Sequence, residues 1–176
     1  MEKGFTMPEL LITMIVIGVL AAASIPSFTA IHDRFLMDSM ASRSLQLYGI
    51  AKSYAVTRQQ DIYVHIIGLS ATPSQTDSWC LVVSTQSAVG SCGDTDILAI
   101  VEGENIGGLT LSRPDNATPL KVASLNGWPE TNGNAQQTLL SFHRTEGKAI
   151  NLKANIVGRF WLCGQDEDQY GYSACA

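Results

Sequence analysis

Of 176 residues, an N-terminal helix takes about 50 and leaves about 120, the size of one globular domain and long enough to bury a core. The formal charge is −5. An acidic chain is no natural match for phosphate-rich partners unless its few cations are clustered.

Met1 to Gly4 form a short stub carrying Glu2 and Lys3. Phe5-Thr6-Met7-Pro8-Glu9 follows, and Leu10 to Ile25 carries no charge. As a helix, Phe5 to Pro26 spans about 33 Å at about 1.5 Å per residue, enough to cross the hydrocarbon core of a bilayer. Glu9 lies inside this apolar block near its start. A carboxylate in lipid costs at least a few kcal/mol, and such residues mark a function with a specific partner. An ordinary secretory signal places its small-residue cleavage site after the apolar core. Here Gly4 precedes the core, so cleavage there would leave the helix on the mature protein. A signal anchor with Lys3 on the cytoplasmic side explains the apolar run but not Glu9. Pro8 is tolerated in a first helical turn, where its missing N–H would be unpaired anyway.

The helix is predicted to run to about Thr57, with Gly18 and Pro26 as points where it can weaken or kink. Beyond Pro26 the pattern becomes one-sided. Leu36, Met37, Met40, Leu47, Tyr48, Ala51, Tyr54 and Ala55 recur at helical spacing, while Asp33, Asp38, Arg43 and Lys52 fall off that stripe. A single stripe is expected of a helix packed on its own domain rather than of a free coiled coil.

Strands are predicted next. They are Ile62 to Ile67, Trp79 to Ser84, Ile97 to Val101, Leu109 to Leu111, Thr138 to His143, Ala149 to Lys153 and Ile156 to Cys163. Most are short, apolar or β-branched, and bounded by turn formers. Glu146-Gly147 is a predicted hairpin tip, and Asn126 to Gln137 a surface loop. Cys80, Cys92, Cys163 and Cys175 lack the tight CxxC spacing of a zinc or redox site. In an oxidising compartment two local disulfides are expected, Cys80–Cys92 and Cys163–Cys175. Spacing alone leaves crossed pairings open.

The run Gly4-Phe5-Thr6-x-x-Glu9-Leu10-Leu11-Ile12 resembles the class III signal of type IV pilins and pseudopilins. That resemblance implies a prepilin peptidase cutting after Gly4, methylation of the new Phe5 amine, and Glu9 as the acidic residue used in filament assembly. Met7-Pro8 departs mildly from the family's usual pair. The leader removes Glu2 and Lys3 together and leaves the side-chain charge unchanged. Downstream, Ala51 to Arg58, Trp79 to Val83, Ile97-Leu98 and Gly158-Arg159-Phe160-Trp161 resemble, in order, stretches of the GspH/FimT-type minor pilins. The implied fold is α+β and pilin-like, a long N-terminal helix packed on an antiparallel sheet or β-sandwich. The implied segments are a leader at 1–4, a transmembrane or filament-core helix at 5–29, its amphipathic continuation at 30–58 and a β-rich periplasmic domain at 59–176. The implied function is that of a minor type IV pilin, used sparingly or at the tip to help initiate pilus assembly. Such a protein sits in the inner membrane as a single-pass chain before joining a surface filament. The implied partners are major and minor pilins, prepilin peptidase, the inner-membrane assembly platform and inner-membrane lipid.

Two alternatives share these features. One is the H-type pseudopilin of a type II secretion system. The other is a DNA-binding minor pilin of natural transformation, for which the family uses a Gly-Arg-x-Arg motif. Here that motif reads Gly158-Arg159-Phe160-Trp161, so the second arginine is a tryptophan that could stack on an unpaired base. Arg144, Lys148, Lys153, Arg159 and Trp161 are the candidate DNA contacts, opposed by Asp166, Glu167 and Asp168. DNA is the less favoured partner. No catalytic residues, cofactor or metal are expected. His32, His65 and His143 lie far apart, no HExxH or GxSxG is present, and Gly103, Gly107 and Gly108 read as turn residues.

Overall fold

The structure is a computed structural model that describes residues 6–73, 78–103, 109–114, 118–131, 133–144 and 147–175, with residues 23–30 described by their backbone alone. The chain divides into two units, Met1–Leu36 and Met37–Ala176. One helix, α1, runs Met7–Arg58, so Gly18 and Pro26 fall within a single element. In the first unit Leu10, Leu11, Ile12, Met14, Ile15, Val16, Ile17, Val19 and Leu20 are all exposed. A helix apolar on every side needs an apolar environment around it.

Among the described residues the second unit holds eight strands: β1 Ile62–Ile67, β2 Cys80–Ser84, β3 Ile97–Glu102, β4 Leu109–Ser112, β5 Leu120–Val122, β6 Gln136–Arg144, β7 Ala149–Asn155 and β8 Phe160–Gly164. They form two four-stranded sheets, ordered β3-β2-β1-β5 and β4-β6-β7-β8, with every strand pairing antiparallel. Met37, Met40, Leu47, Tyr48, Ala51 and Ala55 of α1 share one apolar cluster with both sheets. From the first sheet come Ile62, Val64, Leu81 and Leu120; from the second come Leu140, Phe142, Ile150 and Leu152. Ser44 is tolerated in that buried stripe because its hydroxyl donates to the Met40 carbonyl one turn back, at 2.9 Å. The expected stripe on α1 and the α+β fold are therefore as observed.

Three local expectations are corrected. Residues 156–159 do not belong to β8. The Gly158 N–H donates to the Asn155 carbonyl at 3.1 Å and the Asn155 side chain accepts the Arg159 N–H at 2.9 Å. With Gly158 at φ 77°, this closes a tight β7–β8 turn that only glycine makes without strain. β5 was not expected, because three residues after a proline give little periodicity to read. Gln136 and Gln137 open β6 rather than ending a surface loop, and Thr131 within that stretch is buried. The β6–β7 turn carries Gly147 at φ 75°, while its neighbour Glu146, like Gly107 and Gly108, lies outside the described residues.

Candidate functional site

At the N-terminus, Gly4 and Phe5 lie outside the described residues. The chain is described from Thr6, whose carbonyl accepts the Glu9 N–H at 3.1 Å and the Leu10 N–H at 3.2 Å. The Thr6 hydroxyl also donates to Glu9 Oε2 at 3.4 Å. Thr-x-x-Glu is the spacing of a helix N-terminal capping pair. Pro8 fits here because first-turn N–H groups have no partner inside the helix. A carboxylate in the first turn also favours the positive end of the helix dipole. The geometry thus presents one anionic group in the first turn of the helix, ahead of a run, Leu10 to Ile31, that carries no Asp, Glu, Lys or Arg.

The candidate DNA residues do not form one cluster. Arg144 and Lys148 stand at the β6–β7 turn, where the Arg144 N–H donates to the Lys148 carbonyl at 3.0 Å. Lys153 lies five residues along β7 from Lys148, about 17 Å at about 3.3 Å per residue. There it is paired in register with Trp161 of β8. The Arg159 guanidinium stands 5.9 Å from the centroid of the Trp161 ring. An open groove of about 560 Å3 runs beside this second group, lined by Gln136, Asn155, Arg159, Trp161 and residues 171–174. At the other end of that sheet face His143 bonds Ser112 Oγ at 2.9 Å, and burial pushes its pKa down.

Both expected disulfides are present, Cys80–Cys92 and Cys163–Cys175. The first holds the segment in which the Gln86 carbonyl meets His65 Nε2 at 2.9 Å. The second holds a C-terminal loop against β8: the Gly164 N–H donates to Ser173 and the Cys175 N–H to Gly164, each at 2.8 Å. Gln169 Oε1 of this loop accepts the Ala149 N–H at 2.6 Å, and the Tyr172 hydroxyl donates to Asp38 of α1. Among the described residues no group of three or more His, Cys, Asp or Glu could hold a metal ion.

Leu125, which the sequence left unassigned, and Ile156 and Val157, which it placed in a strand, are all exposed. For Leu125 the available signal was a large aliphatic side chain beside the turn-forming Asn126-Gly127.

Residues 1–25 match the family described as the prokaryotic N-terminal methylation motif. The fold is similar to two crystal structures of the type IV minor pilin FimU of Pseudomonas aeruginosa strain PAO1. One, in space group P21, has a TM-score of 0.53 at 19% identity and covers 74% of this chain and 90% of that chain. The other, in P65, has a TM-score of 0.51 at 20% identity and covers 72% and 91%. No curated protein matches the chain.

Proposed function

We propose that this type IV pilin-like chain is a minor pilin, a structural subunit that joins a pilus at low abundance or at its tip and helps to initiate assembly. The observation that carries the reading is the lone Glu9 carboxylate at the start of an apolar helix within the matched methylation motif. The two solved minor pilins of the same fold favour a pilus over a secretion system.

A prepilin-type signal and a pilin fold imply a membrane-anchored N-terminal helix with the β-domain in the periplasm. Among the described residues no helix is long and apolar enough to cross a membrane. In the sequence, however, Leu10 to Ile31 contains no Asp, Glu, Lys or Arg. As a continuous helix that stretch is about 33 Å, the thickness of a hydrocarbon core. Prepilin peptidase would cut after Gly4 and leave a methylated Phe5 amine. Glu9 then pairs with the Phe5 amine of a neighbouring subunit. A buried ion pair is a poor stabiliser, but leaving one partner unpaired is costly, so this pair sets register between subunits.

Glu9→Ala is expected to leave the protein in the inner membrane and to impair its incorporation into filaments. Fractionation of membranes and sheared filaments measures this, and normal incorporation of the variant would remove the role given to Glu9. Contact with DNA is a second reading, supported by the groove beside Arg159 and Trp161.

A further inference from the structure

We propose that the end of the β-domain built from the 123–128 and 155–158 turns docks a second copy of this chain, which it grips by the outer edge of that copy's β3. The two turns present four large apolar side chains: Leu125 is 91% exposed, Trp128 43%, Ile156 50% and Val157 55%. Each turn is closed by its own hydrogen bonds. Gly127 donates to Ala123 and Ala123 to Trp128, both at 2.9 Å, and Asn155 donates to Arg159 at 3.1 Å.

The turns touch one another. A Cβ on Gly158 would stand 2.6 Å from Trp128 Cδ1, and one on Gly127 would stand 2.8 Å from Lys52 Cγ. The Lys52 amine donates to the Gly158 carbonyl at 2.9 Å. The two turns that carry these four side chains therefore adjoin, and contiguous exposed apolar surface marks interaction sites.

The border of the patch is positive. Lys52 meets a carbonyl and the Arg159 guanidinium lies by Trp161, so neither is in an ion pair among the described residues. Lys121 nearby is already shared between Asp61 at 3.1 Å and Glu130 at 2.8 Å. The surface that fits is aliphatic and bordered by carboxylates. Outside α1, the only other large apolar side chain exposed among the described residues is Ile100. Ile100 lies on β3, the outermost strand of its sheet. Exposed Glu102 ends that strand, while Asp94 and Asp96 precede it.

The patch follows β5 in the chain, and β5 is at the opposite edge of the sheet from β3. The two surfaces are therefore different faces of one subunit. Patch-to-edge contact is heterologous, which gives a ring where the rotation between copies closes and an open series where it does not.

The inference goes beyond the pilin reading, because it concerns residues of the second unit and is read from a crosslink that joins those residues. The full chain in detergent micelles, carrying the photoreactive residue benzoylphenylalanine in place of Leu125, is irradiated and the adducts are mapped by mass spectrometry. The expected product joins two copies through residues 97–102. Arg159→Glu or Glu102→Lys alone should lower its yield about tenfold, and the chain carrying both should recover it, since opposite charges face each other again. Unfolding temperature and disulfide content of each variant show that the fold is kept. Absence of the adduct, an adduct on another segment or on detergent alone, or a double variant no better than the singles would overturn the proposal.

Discussion

Tyr48 shows how one side chain can be fixed by its position and still be imperfectly served there. It is fully buried, its ring lies 5.3 Å from that of Phe160, and its hydroxyl has no hydrogen-bond partner among the described residues. Burial pushes its pKa up, because the charged form would lose all hydration. The ring belongs to the apolar stripe read from the sequence, but the oxygen does not. A buried hydroxyl without a partner costs roughly 1–3 kcal/mol, whereas an apolar replacement of the same shape avoids that cost. Tyr48→Phe is therefore expected to raise stability by about 1 kcal/mol, read as a higher denaturant midpoint at unchanged slope. A clear loss of stability would show that the hydroxyl is bonded after all.

Elements with their own periodicity were the readable ones. The stripe on α1 and strands β1, β3, β6 and β7 appear close to where apolar alternation and turn residues place them. β5 and the true start of β8 do not. Leu120-Lys121-Val122 is a strand only because β1 supplies partners for it. Ile156 and Val157 have strand-like side chains, but they sit in a turn because the Asn155 carbonyl and side chain capture the next N–H groups. Local β propensity loses there to hydrogen bonding within the turn. The C-terminal loop is a different case, an element held by a covalent link. Its disulfide spans a sequence separation of 12, and removing such a loop closure costs about 3 kcal/mol on the chain-entropy model. The Cys163→Ser/Cys175→Ser variant is expected to lose about that much. Hydrogen exchange should quicken at Ala149 and Gly164, whose N–H groups bond the loop, and not in β1 and β2. Uniform exchange across both sheets would mean that the loop is not a separate unit.

For the whole molecule, charge distribution matters more than net charge. The five candidate DNA contacts fall into two groups, and only Lys153 and Arg159 stand beside Trp161, with Asp166, Glu167 and Asp168 on the neighbouring loop. Two cations can displace few counterions, and the salt dependence of binding scales with the phosphates neutralised. Any binding of short single-stranded DNA by the full chain should therefore show a log–log salt slope of about −2 or shallower, and should vanish in Arg159→Ala. Titration at several salt concentrations measures this. A much steeper slope would require a larger basic surface than the one that Lys153 and Arg159 form beside Trp161.

By itself the sequence determined the order of features along the chain. The glycine ahead of the apolar core, the acid inside it, the one-sided stripe beyond Pro26 and the two local cysteine pairs are all short-range patterns. They depend on neighbours within a few residues, or on the methylation motif matched over residues 1–25. Only the tertiary structure decided which distant residues meet. Strand pairing separated Lys148 from Lys153 along β7 while bringing Lys153 beside Trp161. It also brought the Trp128 loop against the Gly158 turn and Lys52, which are far apart in the chain. Such contacts are set by sheet register and by the packing of α1, and they leave no periodic trace in the sequence to read.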